Sequence, residues 1–407
     1  MSNKLSSHQK HAKLTRPDLG NFGRNEWSIL GTPCGVIKKL AFQLTQQLSE
    51  KYKVAYVDAD HKSADDEKEE GRDLSSAMAY GATMEYTDKI SFHRLDFEAQ
   101  LDAYQFRTLF NDQDLAIVNG NHFKAKRQIV VIDPKKEKSL KRKLDRLHQV
   151  DLFLLAEGQQ DIYPFLKDHL TDWKHIPRLS LQNVDAIADW MKKEMEAALP
   201  PVYGLVLAGG KSQRMGQDKG LINYHGKIQR EYVADQLSTL CEQTFISCRP
   251  EQAAEIESDY PLLPDSFSGL GPFGAIVSAF REHPNHAWLV VACDLPLLNK
   301  DTLQELVAGR DPSKLATAFN SPVNEFPEPL ICIWEPRSYP VLLQFLAQGY
   351  SCPRKVLINS DVKLLDASEA QALSNVNHPE EKEAILKSLK DEQQPIPHHP
   401  QKSPFSK

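Results

Sequence analysis

The sequence lacks the usual features of membrane, secreted and zinc-binding proteins. None of its apolar runs approaches the roughly 20 residues that a membrane-spanning helix needs. The opening segment, MSNKLSSHQKHAKLTRPDLG, has no apolar core like that of a secretory signal. The six cysteines are scattered and none forms a C-x-x-C pair, which argues against a zinc site or a disulfide framework. We expect a cytoplasmic protein with reduced thiols and no membrane partner.

A strong charge of either sign is also missing. The 407 residues carry a formal net charge of -6, which gives no general affinity for nucleic acid. One basic stretch, KKEKSLKRKLDRLH at residues 135–148, lacks the interleaved aromatic residues of single-stranded nucleic-acid sites. We predict a solvated helix whose Leu140, Leu144 and Leu147 face inward, with a surface for an anionic partner as the alternative. No nucleic-acid partner is expected.

A proline pair divides the chain. The helical pattern LQNVDAIADWMKKEMEAAL is followed by Pro200 and Pro201, which cannot continue a helix. Both ends of the chain are polar and aperiodic, as in the tail DEQQPIPHHPQKSPFSK. The sequence therefore predicts four segments: a disordered N-terminus at 1–24, a domain at 25–198, a second domain at 201–390 and a disordered tail at 391–407.

Strand-like and helix-like segments alternate in both domains, which is typical of α/β folds. In the first domain, the segments EWSIL, KVAYVDAD, DLAIVNG and QIVVID resemble strands, and GVIKKLAFQLTQQLSEKY resembles a helix. In the second domain, YGLVLA, TFISC and HAWLVVACD resemble strands, and REYVADQLSTLC and PFGAIVSAF resemble helices. We predict two domains, each a mostly parallel sheet with helices on both faces.

The stretch GLVLAGGKSQRMGQDKG, residues 204–220, combines a strand, a glycine pair and basic residues. Ligands of α/β folds bind at the carboxyl ends of the strands, and backbone N–H groups near glycines can surround an anion. Arg214 and Lys219 can contact phosphate oxygens, so the loop fits a nucleoside triphosphate. The pattern is neither that of a P-loop nor that of a dinucleotide fingerprint.

Two aspartates follow buried strands in the same domain. In VVACDLPLL, Asp294 is placed to hold a hard cation such as Mg²⁺ against phosphates, or else to cap the next helix. In LLPDSFSGLGPFGAI, Asp265 can accept hydrogen bonds from a base or a ribose, or from the next helix. Both alternatives stay open at this point for each residue.

These segments, together with NVNHPEEKEAI, resemble the molybdenum cofactor guanylyltransferase family (MobA) over nearly all of residues 202–390. The resemblance implies a Rossmann-like nucleotidyltransferase fold. It also implies transfer of GMP from GTP to molybdopterin, with release of pyrophosphate and formation of molybdopterin guanine dinucleotide. GTP and molybdopterin would then be the substrates and Mg²⁺ the cofactor, with apo-molybdoenzymes and molybdenum-insertion proteins as further expected partners.

The resemblance also implies roles for single residues. Catalysis falls to Arg214, Lys219 and Asp294, and Mg²⁺ binding to Asp294 and Asn377. Asn375 lies two residues before Asn377 and shares its face if the segment is extended, so it joins the nucleotide-binding set. That set is Leu207, Ala208, Gly209, Gly210, Lys219, Asp265 and Asn375.

The implied reaction is an in-line attack of a pterin phosphate oxygen on the α-phosphorus. It needs positioning and charge neutralisation but no general base, because the phosphate nucleophile is already ionised. LAGG followed by Asp218 and Lys219 favours guanine over the cytosine of related enzymes. The segment TFISCRPEQ lacks the family's usual asparagine, and Ser247 can replace one of its hydrogen bonds. The alternatives are a cytidylyl- or sugar-phosphate nucleotidyltransferase and a non-catalytic cofactor carrier.

The first domain resembles the MobB-type GTP-binding partner of the same pathway, which implies a P-loop NTPase-like fold over residues 25–195. In ILGTPCGVIKKLAFQL, however, Pro33 stands where the P-loop lysine belongs, and Cys34 where the Mg²⁺-binding Ser/Thr belongs. Asn119 replaces an acidic residue. We therefore predict a degenerate domain that does not hydrolyse GTP. Its expected roles are to support dimerisation, to dock a molybdoenzyme or to help hold the pterin.

Two pairs of polar residues have no assigned role. Asp58 and Asp60 would point to one side of a strand end, as a residual metal site or as solvated carboxylates. Arg354 and Lys355, in SCPRKVLI, could meet a pterin phosphate or lie on the solvated surface.

Overall fold

The computed structural model describes residues 20–59, 75–209, 218–376 and 378–392. It divides into two compact units between Ala198 and Leu199, one residue before the proline pair. Within the described residues, no helix is long and apolar enough to cross a membrane.

The first unit contains eight strands in its described part. Six of them form a parallel sheet in the order β2-β5-β1-β6-β7-β8, and β3 and β4 form a separate antiparallel hairpin. The strands are β1 (Glu26–Leu30), β2 (Val54–Val57), β3 (Met84–Asp88), β4 (His93–Phe97), β5 (Leu115–Asn119), β6 (Arg127–Ile132), β7 (Val150–Leu155) and β8 (Arg178–Ser180).

Helices cover both faces of this sheet. They are α1 (Cys34–Leu48), α2 (Ala103–Leu109), α3 (Glu137–Lys141), α4 (Pro164–His169) and α5 (Val184–Ala197). The inner face of α1 carries Ile37, Leu40, Ala41, Leu44 and Leu48, which are buried at helical spacing. Together with α5, this face packs on one side of the sheet, and Leu140 and Leu166 belong to the cluster on the other.

Two expectations for the first unit need correction. The basic stretch is not one helix, because α3 ends at Lys141 and a separate 3₁₀ turn spans Leu144–Arg146; Leu140 and Leu147 are nonetheless buried. The disordered segment predicted for 1–24 is too long. Phe22 is buried and its ring packs against Phe106, so residues 20–24 belong to the folded unit, while 1–19 lie outside the described residues.

The second unit is built on a seven-stranded sheet in the order β11-β10-β9-β12-β14-β13-β15. Its strands are β9 (Val202–Leu207), β10 (Gln243–Cys248), β11 (Leu262–Pro264), β12 (Ala287–Ala292), β13 (Ala316–Asn320), β14 (Pro327–Trp334) and β15 (Lys363–Leu365). Only β14 runs antiparallel to its neighbours among these strands. The sheet is therefore mostly parallel, as predicted.

Six helices of this unit lie in its described part. They are α6 (Gln229–Ser238), α7 (Pro272–Glu282), α8 (Lys300–Ala308), α9 (Ser338–Ala347), α10 (Pro353–Ile358) and α11 (Pro379–Glu392). Alternate residues of β9 enter different cores, with Leu205 in one cluster and Val206 in the other. Helices thus cover both faces of the sheet, in agreement with the predicted fold class.

Two further boundaries differ from the expectation. Helix α6 ends at Ser238, so Leu240 and Cys241 lie in the following turn, where both are still partly buried. Helix α11 extends to Glu392, so the predicted tail begins at least two residues too early; residues 393–407 lie outside the described part.

Candidate active site

A cavity of about 600 Å³ opens at the carboxyl ends of β9, β10 and β12 in the second unit. This volume suits a ligand of nucleotide size. The lining combines glycine-rich backbone with a few charged side chains: Asp218, Lys219, Arg249, Glu251, Asp265 and Asp294. The central strand β9 lies between β10 and β12, so the loops after all three strands meet at one edge of the sheet.

The glycine loop begins on the wall of this cavity. Leu207, Ala208 and Gly209 line it, and the amide of Ala208 donates a hydrogen bond to the Ser247 carbonyl at 3.1 Å. A Cβ atom at Gly209 would lie only 3.3 Å from the Arg249 amide nitrogen, so a larger residue would crowd the neighbouring strand end. Gly210 and Arg214 lie outside the described residues.

Lys219 and Asp294 lie side by side on one wall of the cavity. Nζ of Lys219 lies 3.3 Å from Oδ2 of Asp294, and each side chain keeps about a fifth of its surface exposed. Asp218 fixes the turn that carries Lys219, since its Oδ1 accepts a hydrogen bond from the Gly220 amide at 2.9 Å. The predicted lysine and aspartate are thus brought together at one place.

The backbone of Asp294 is tied to the segment predicted to complete the metal site. Its carbonyl accepts a hydrogen bond from the Val376 amide at 2.8 Å, and Val376 is buried against Ile222 and Tyr224. Asn375 is exposed and is not among the residues that line the cavity, while Asn377 lies outside the described residues. The segment is therefore adjacent to Asp294, whereas Asn375 itself is not part of the cavity wall.

Asp294 offers one carboxylate to a cation. No group of three or more His, Cys, Asp or Glu residues suited to a metal exists in the described parts of the chain. Mg²⁺ in nucleotide sites is commonly held by one or two carboxylates plus the phosphates of the substrate. An accessible carboxylate beside a lysine, in a cavity with a glycine loop, fits that kind of site.

Asp265 lies on the opposite wall and is held by Ser247. The Ser247 hydroxyl donates a hydrogen bond of 2.8 Å to Oδ1 of Asp265. Burial raises the pKa of Asp265 to about 6, although the bond from Ser247 lowers it in part. The carboxyl is therefore about half ionised near pH 6 and mostly ionised at pH 7, where it keeps acceptor capacity for a ligand.

Helix capping explains neither aspartate. The helix after Asp265, α7, has Gly271 at its N-cap position and no side-chain cap. The helix after Asp294, α8, is capped by Asn299, whose side chain accepts a hydrogen bond from the Thr302 amide at 2.9 Å. The capping alternatives are therefore wrong for both residues. Both carboxylates instead line the cavity.

A buried serine holds the loop that carries Asp265. Oγ of Ser278 accepts hydrogen bonds from the amides of Ser266 and Phe267 at 2.9 and 3.2 Å, and donates one to the Gly274 carbonyl at 2.6 Å. Gly274 is required for this packing, because a Cβ there would lie 2.3 Å from the Phe267 carbonyl oxygen. The loop over α7 is thus fixed by the helix beneath it.

One basic residue of the cavity escaped the sequence interpretation. Arg249 follows β10, and its guanidinium is oriented by Gln252 Oε1 at 3.1 Å and Glu251 Oε1 at 2.8 Å. The available signal was its position directly after a strand end, which is the edge where ligands bind. In contrast, Arg354 pairs with Glu328 on β14 at 3.1 Å and is not among the lining residues.

Comparison with known proteins decides the family. Residues 204–367 match the family of MobA-like NTP transferase domains. The molybdenum cofactor guanylyltransferase of Pseudomonas putida is 34% identical over 203 residues, which cover 46% of this chain and 98% of that protein. The chain belongs to the molybdenum cofactor guanylyltransferase family. The family match lies in the second unit, around the cavity.

Two further proteins are similar to this chain. The molybdenum cofactor biosynthesis bifunctional protein of a Synechocystis strain is 37% identical over 183 residues, which cover 44% of this chain. The chain spans only about half of that relative, 52% of its length. The solved structure of the molybdopterin-guanine dinucleotide biosynthesis protein A of Archaeoglobus fulgidus is 23% identical, with a TM-score of 0.41, and the match covers 46% of this chain and 99% of that one. The degenerate P-loop interpretation of the first unit stays a prediction.

Proposed function

We propose that the cavity of the second unit binds GTP and molybdopterin and transfers GMP between them, releasing pyrophosphate. The observation that carries the proposal is the convergence of Lys219, Asp294 and Asp265 around one nucleotide-sized cavity at the glycine loop. The charged groups are divided between two walls, so one part of the cavity suits the phosphates and the other suits the nucleoside.

The Lys219–Asp294 wall is the proposed phosphate side. The two side chains neutralise each other in their ion pair. A triphosphate with its cation offers each of them a better partner, because Lys219 can turn to a phosphate oxygen and Asp294 to the cation. Bound Mg²⁺ would supply Lewis-acid stabilisation of the phosphate charge. We propose Asp294 and Asn377 as its protein ligands.

The Asp265 wall is the proposed base side. Guanine presents its N1–H and N2–H₂ donors side by side, and a carboxylate can accept from both. Ser247 holds Oδ1 of Asp265 and thereby restricts the rotation of the carboxylate. Cytosine offers a single exocyclic amino donor at the corresponding edge and would leave part of this acceptor capacity unused. This supports guanine as the preferred base.

The transfer itself requires little from the protein beyond positioning and charge. A pterin phosphate oxygen attacks the α-phosphorus in line and pyrophosphate leaves, with no general base. Lys219 and Arg214 would offset the negative charge that develops on the departing group, and Arg249 offers a third cation on the same wall as Gly209. Leu207, Ala208, Gly209 and Gly210 would supply the backbone nest, and Asn375 the outer edge of the nucleotide site.

The wider roles belong to the same proposal. Apo-molybdoenzymes and molybdenum-insertion proteins would be the recipients or suppliers of the cofactor, and the reaction would take place in the cytoplasm. The first unit would support dimerisation, dock a molybdoenzyme or help hold the pterin.

Binding of each nucleoside triphosphate tests the proposal. Calorimetry of the full chain with Mg²⁺ and GTP, CTP, ATP or UTP should give tight binding for GTP alone, and Asp265→Asn should remove the preference. Formation of molybdopterin guanine dinucleotide from GTP and molybdopterin should then follow. Preference for CTP would point to a cytidylyl transferase, and absence of binding to all four would favour a carrier.

A further inference from the structure

The first unit places a cysteine, a histidine and an aspartate together at the edge of its sheet. Cys34 is the first residue of α1, His122 follows β5 and Asp58 follows β2. Sγ of Cys34 lies 3.4 Å from Nε2 of His122, and the same nitrogen lies 3.9 Å from Oδ1 of Asp58. The cluster lies in the first unit, whereas the cavity proposed for guanylyl transfer lies in the second, so the cluster has no part in the proposed reaction.

A hydrogen-bond donor, an imidazole and the N-terminus of a helix surround the Cys34 sulfur. The Asn121 side-chain amide donates to Sγ at 3.4 Å, and Nε2 of His122 faces the sulfur from another side. Helix α1 has fifteen residues, and its first turn contains no acidic side chain and no side-chain cap, so its positive end is directed at this position. Cys34 is partly exposed, which leaves the sulfur open to a reagent.

Asp58 keeps a negative charge beside the imidazole. Its carboxylate accepts hydrogen bonds from the Tyr56 hydroxyl at 2.5 Å, the Asn119 amide at 2.8 Å and the Ala59 backbone at 2.8 Å. Burial alone would raise the pKa of Asp58, but these bonds and His122 outweigh it, so the pKa is lowered. The residual metal site at Asp58 and Asp60 stays a prediction, because Asp60 lies outside the described residues.

Two residues of the basic stretch, Lys143 and Arg146, lie beside the cluster of Cys34, His122 and Asp58. Nζ of Lys143 donates to Oδ1 of Asn121 at 3.0 Å, and Nη1 of Arg146 donates to the Gly120 carbonyl at 2.9 Å. Lys143 also lies near enough to Cys34 for the two to interact electrostatically. A reagent that approaches the sulfur therefore meets lysine and arginine side chains, which favours one that carries carboxylates.

We propose that Cys34 is a thiol-modification site that reacts with small, carboxylate-bearing disulfides, with His122 as its proton acceptor. Sγ attacks one sulfur of the added disulfide, a new S–S bond forms, and the original S–S bond breaks. The other half leaves as a thiolate with the bonding electron pair. The Cys34 proton passes to Nε2 of His122 and then to the departing thiolate. Cys34 is oxidised and the added disulfide is reduced, so the step needs no other oxidant.

The chain contains its own reference thiol. Cys352 is exposed, whereas Cys34 is only partly exposed, so accessibility alone predicts that Cys352 reacts first. Cys248, Cys293 and Cys332 are buried and should not compete. The ratio of the Cys34 and Cys352 modification rates in one sample thus measures how far its surroundings increase the reactivity of Cys34. This ratio does not depend on the reagent concentration.

The experiment adds excess glutathione disulfide to the reduced full-length protein at pH 7 and follows each mixed disulfide by peptide mass. We expect Cys34 to react about tenfold faster than Cys352 or more. His122→Gln should slow Cys34 and leave Cys352 unchanged. Lys143→Ala should slow the reaction with glutathione disulfide more than that with cystamine, a cationic disulfide.

Equal rates, or faster modification of Cys352, in the wild-type protein would overturn the proposal without any variant. A folded His122→Gln protein with an unchanged Cys34 rate would overturn the role of the histidine. An equal effect of Lys143→Ala on both disulfides would overturn the preference for an anionic reagent. Thermal melting of each variant identifies those that retain the fold.

Discussion

The ammonium group of Lys219 and the carboxylate of Asp294 form an ion pair 3.3 Å long, although 75 positions separate them in the chain. Both are only partly exposed, so the pair is weakly screened by water. The pair joins the loop after β9 to the end of β12, which are neighbouring strands. This contact is the structural basis of the proposed phosphate side.

Replacement of Asp294 should abolish transfer without unfolding the protein. Asp294→Ala removes the proposed Mg²⁺ ligand and the carboxylate that pairs with Lys219, and we expect kcat to fall by about 100-fold or more. Asp361→Ala is the matched control, because Asp361 also pairs with a lysine, Lys314, at 2.7 Å, but does not line the cavity. Steady-state transfer assays at saturating Mg²⁺ check this. Turnover that persists in Asp294→Ala would contradict the metal assignment.

Binding of GTP should strengthen as the pH rises through about 6. Below this value Asp265 is protonated, and its hydroxyl would face the N–H donors of the base; above it the carboxylate accepts from them. At pH 5 only about a tenth of the sites are ionised, so the apparent affinity should be about tenfold lower than at pH 7. Calorimetric titrations between pH 5 and 8 measure this dependence.

The Asp265→Asn protein provides the control, since it should lack this pH step while any titration of GTP itself remains. Ser247→Ala should move the midpoint upward, because the lost hydrogen bond stabilised the ionised carboxyl. A midpoint that is the same in wild type and Asp265→Asn would assign the pH dependence to another group.

Ser278→Ala should loosen the loop on the base side. The substitution leaves the amides of Ser266 and Phe267 without their acceptor, which costs about 1–3 kcal/mol of unfolding free energy. Because the same loop carries Asp265, the KM for GTP should also rise. Ser238→Ala is the control, since its exposed hydroxyl donates to the Asp235 carbonyl at 2.8 Å, accepts from the Tyr260 hydroxyl at 3.4 Å and does not line the cavity. Denaturant titration measures the change in stability, and GTP kinetics measure the change in KM. A drop in stability with an unchanged KM would show that the loop does not affect nucleotide binding.

Glu335→Ala should be the most destabilising of these changes. Glu335 is almost fully buried and binds Arg310 through two hydrogen bonds of 2.7 and 2.9 Å. Its removal leaves a buried, uncompensated guanidinium, which costs about 3–5 kcal/mol. Lys314→Ala breaks an exposed pair and should cost about 1 kcal/mol or less. Thermal unfolding of the second unit compares them, and equal shifts would show that the buried pair has no special weight.

Residue periodicity predicted the α/β class and seven of the fifteen described strands, because those seven strands are continuous apolar runs. It failed where local charge interrupts a helix, as at Lys141, and where a single aromatic residue, Phe22, anchors a polar segment to the core. The antiparallel direction of β14 was not predicted either, since pairing direction depends on the path of the connections and not on the strand's own residues.

For the candidate site, sequence patterns identified Lys219, Asp265 and Asp294, because each follows a strand at the ligand-binding edge. They did not identify the partners that orient these groups. Ser278 looks like an ordinary helical residue in the sequence, and only the fold brings it under the loop at Phe267. The pKa of Asp265 likewise depends on burial, which no motif records.

The two outermost strands of the second sheet, β11 and β15, are each three residues long in the part of the chain that the structure describes. The β11 strand also ends in Pro264, which has no N–H to donate. Such short edge strands offer few backbone N–H and C=O groups with which a strand of another molecule could pair. The folded second unit should therefore not form fibres through edge-to-edge strand pairing at high concentration. Lengthening β11 or β15 should make such pairing possible.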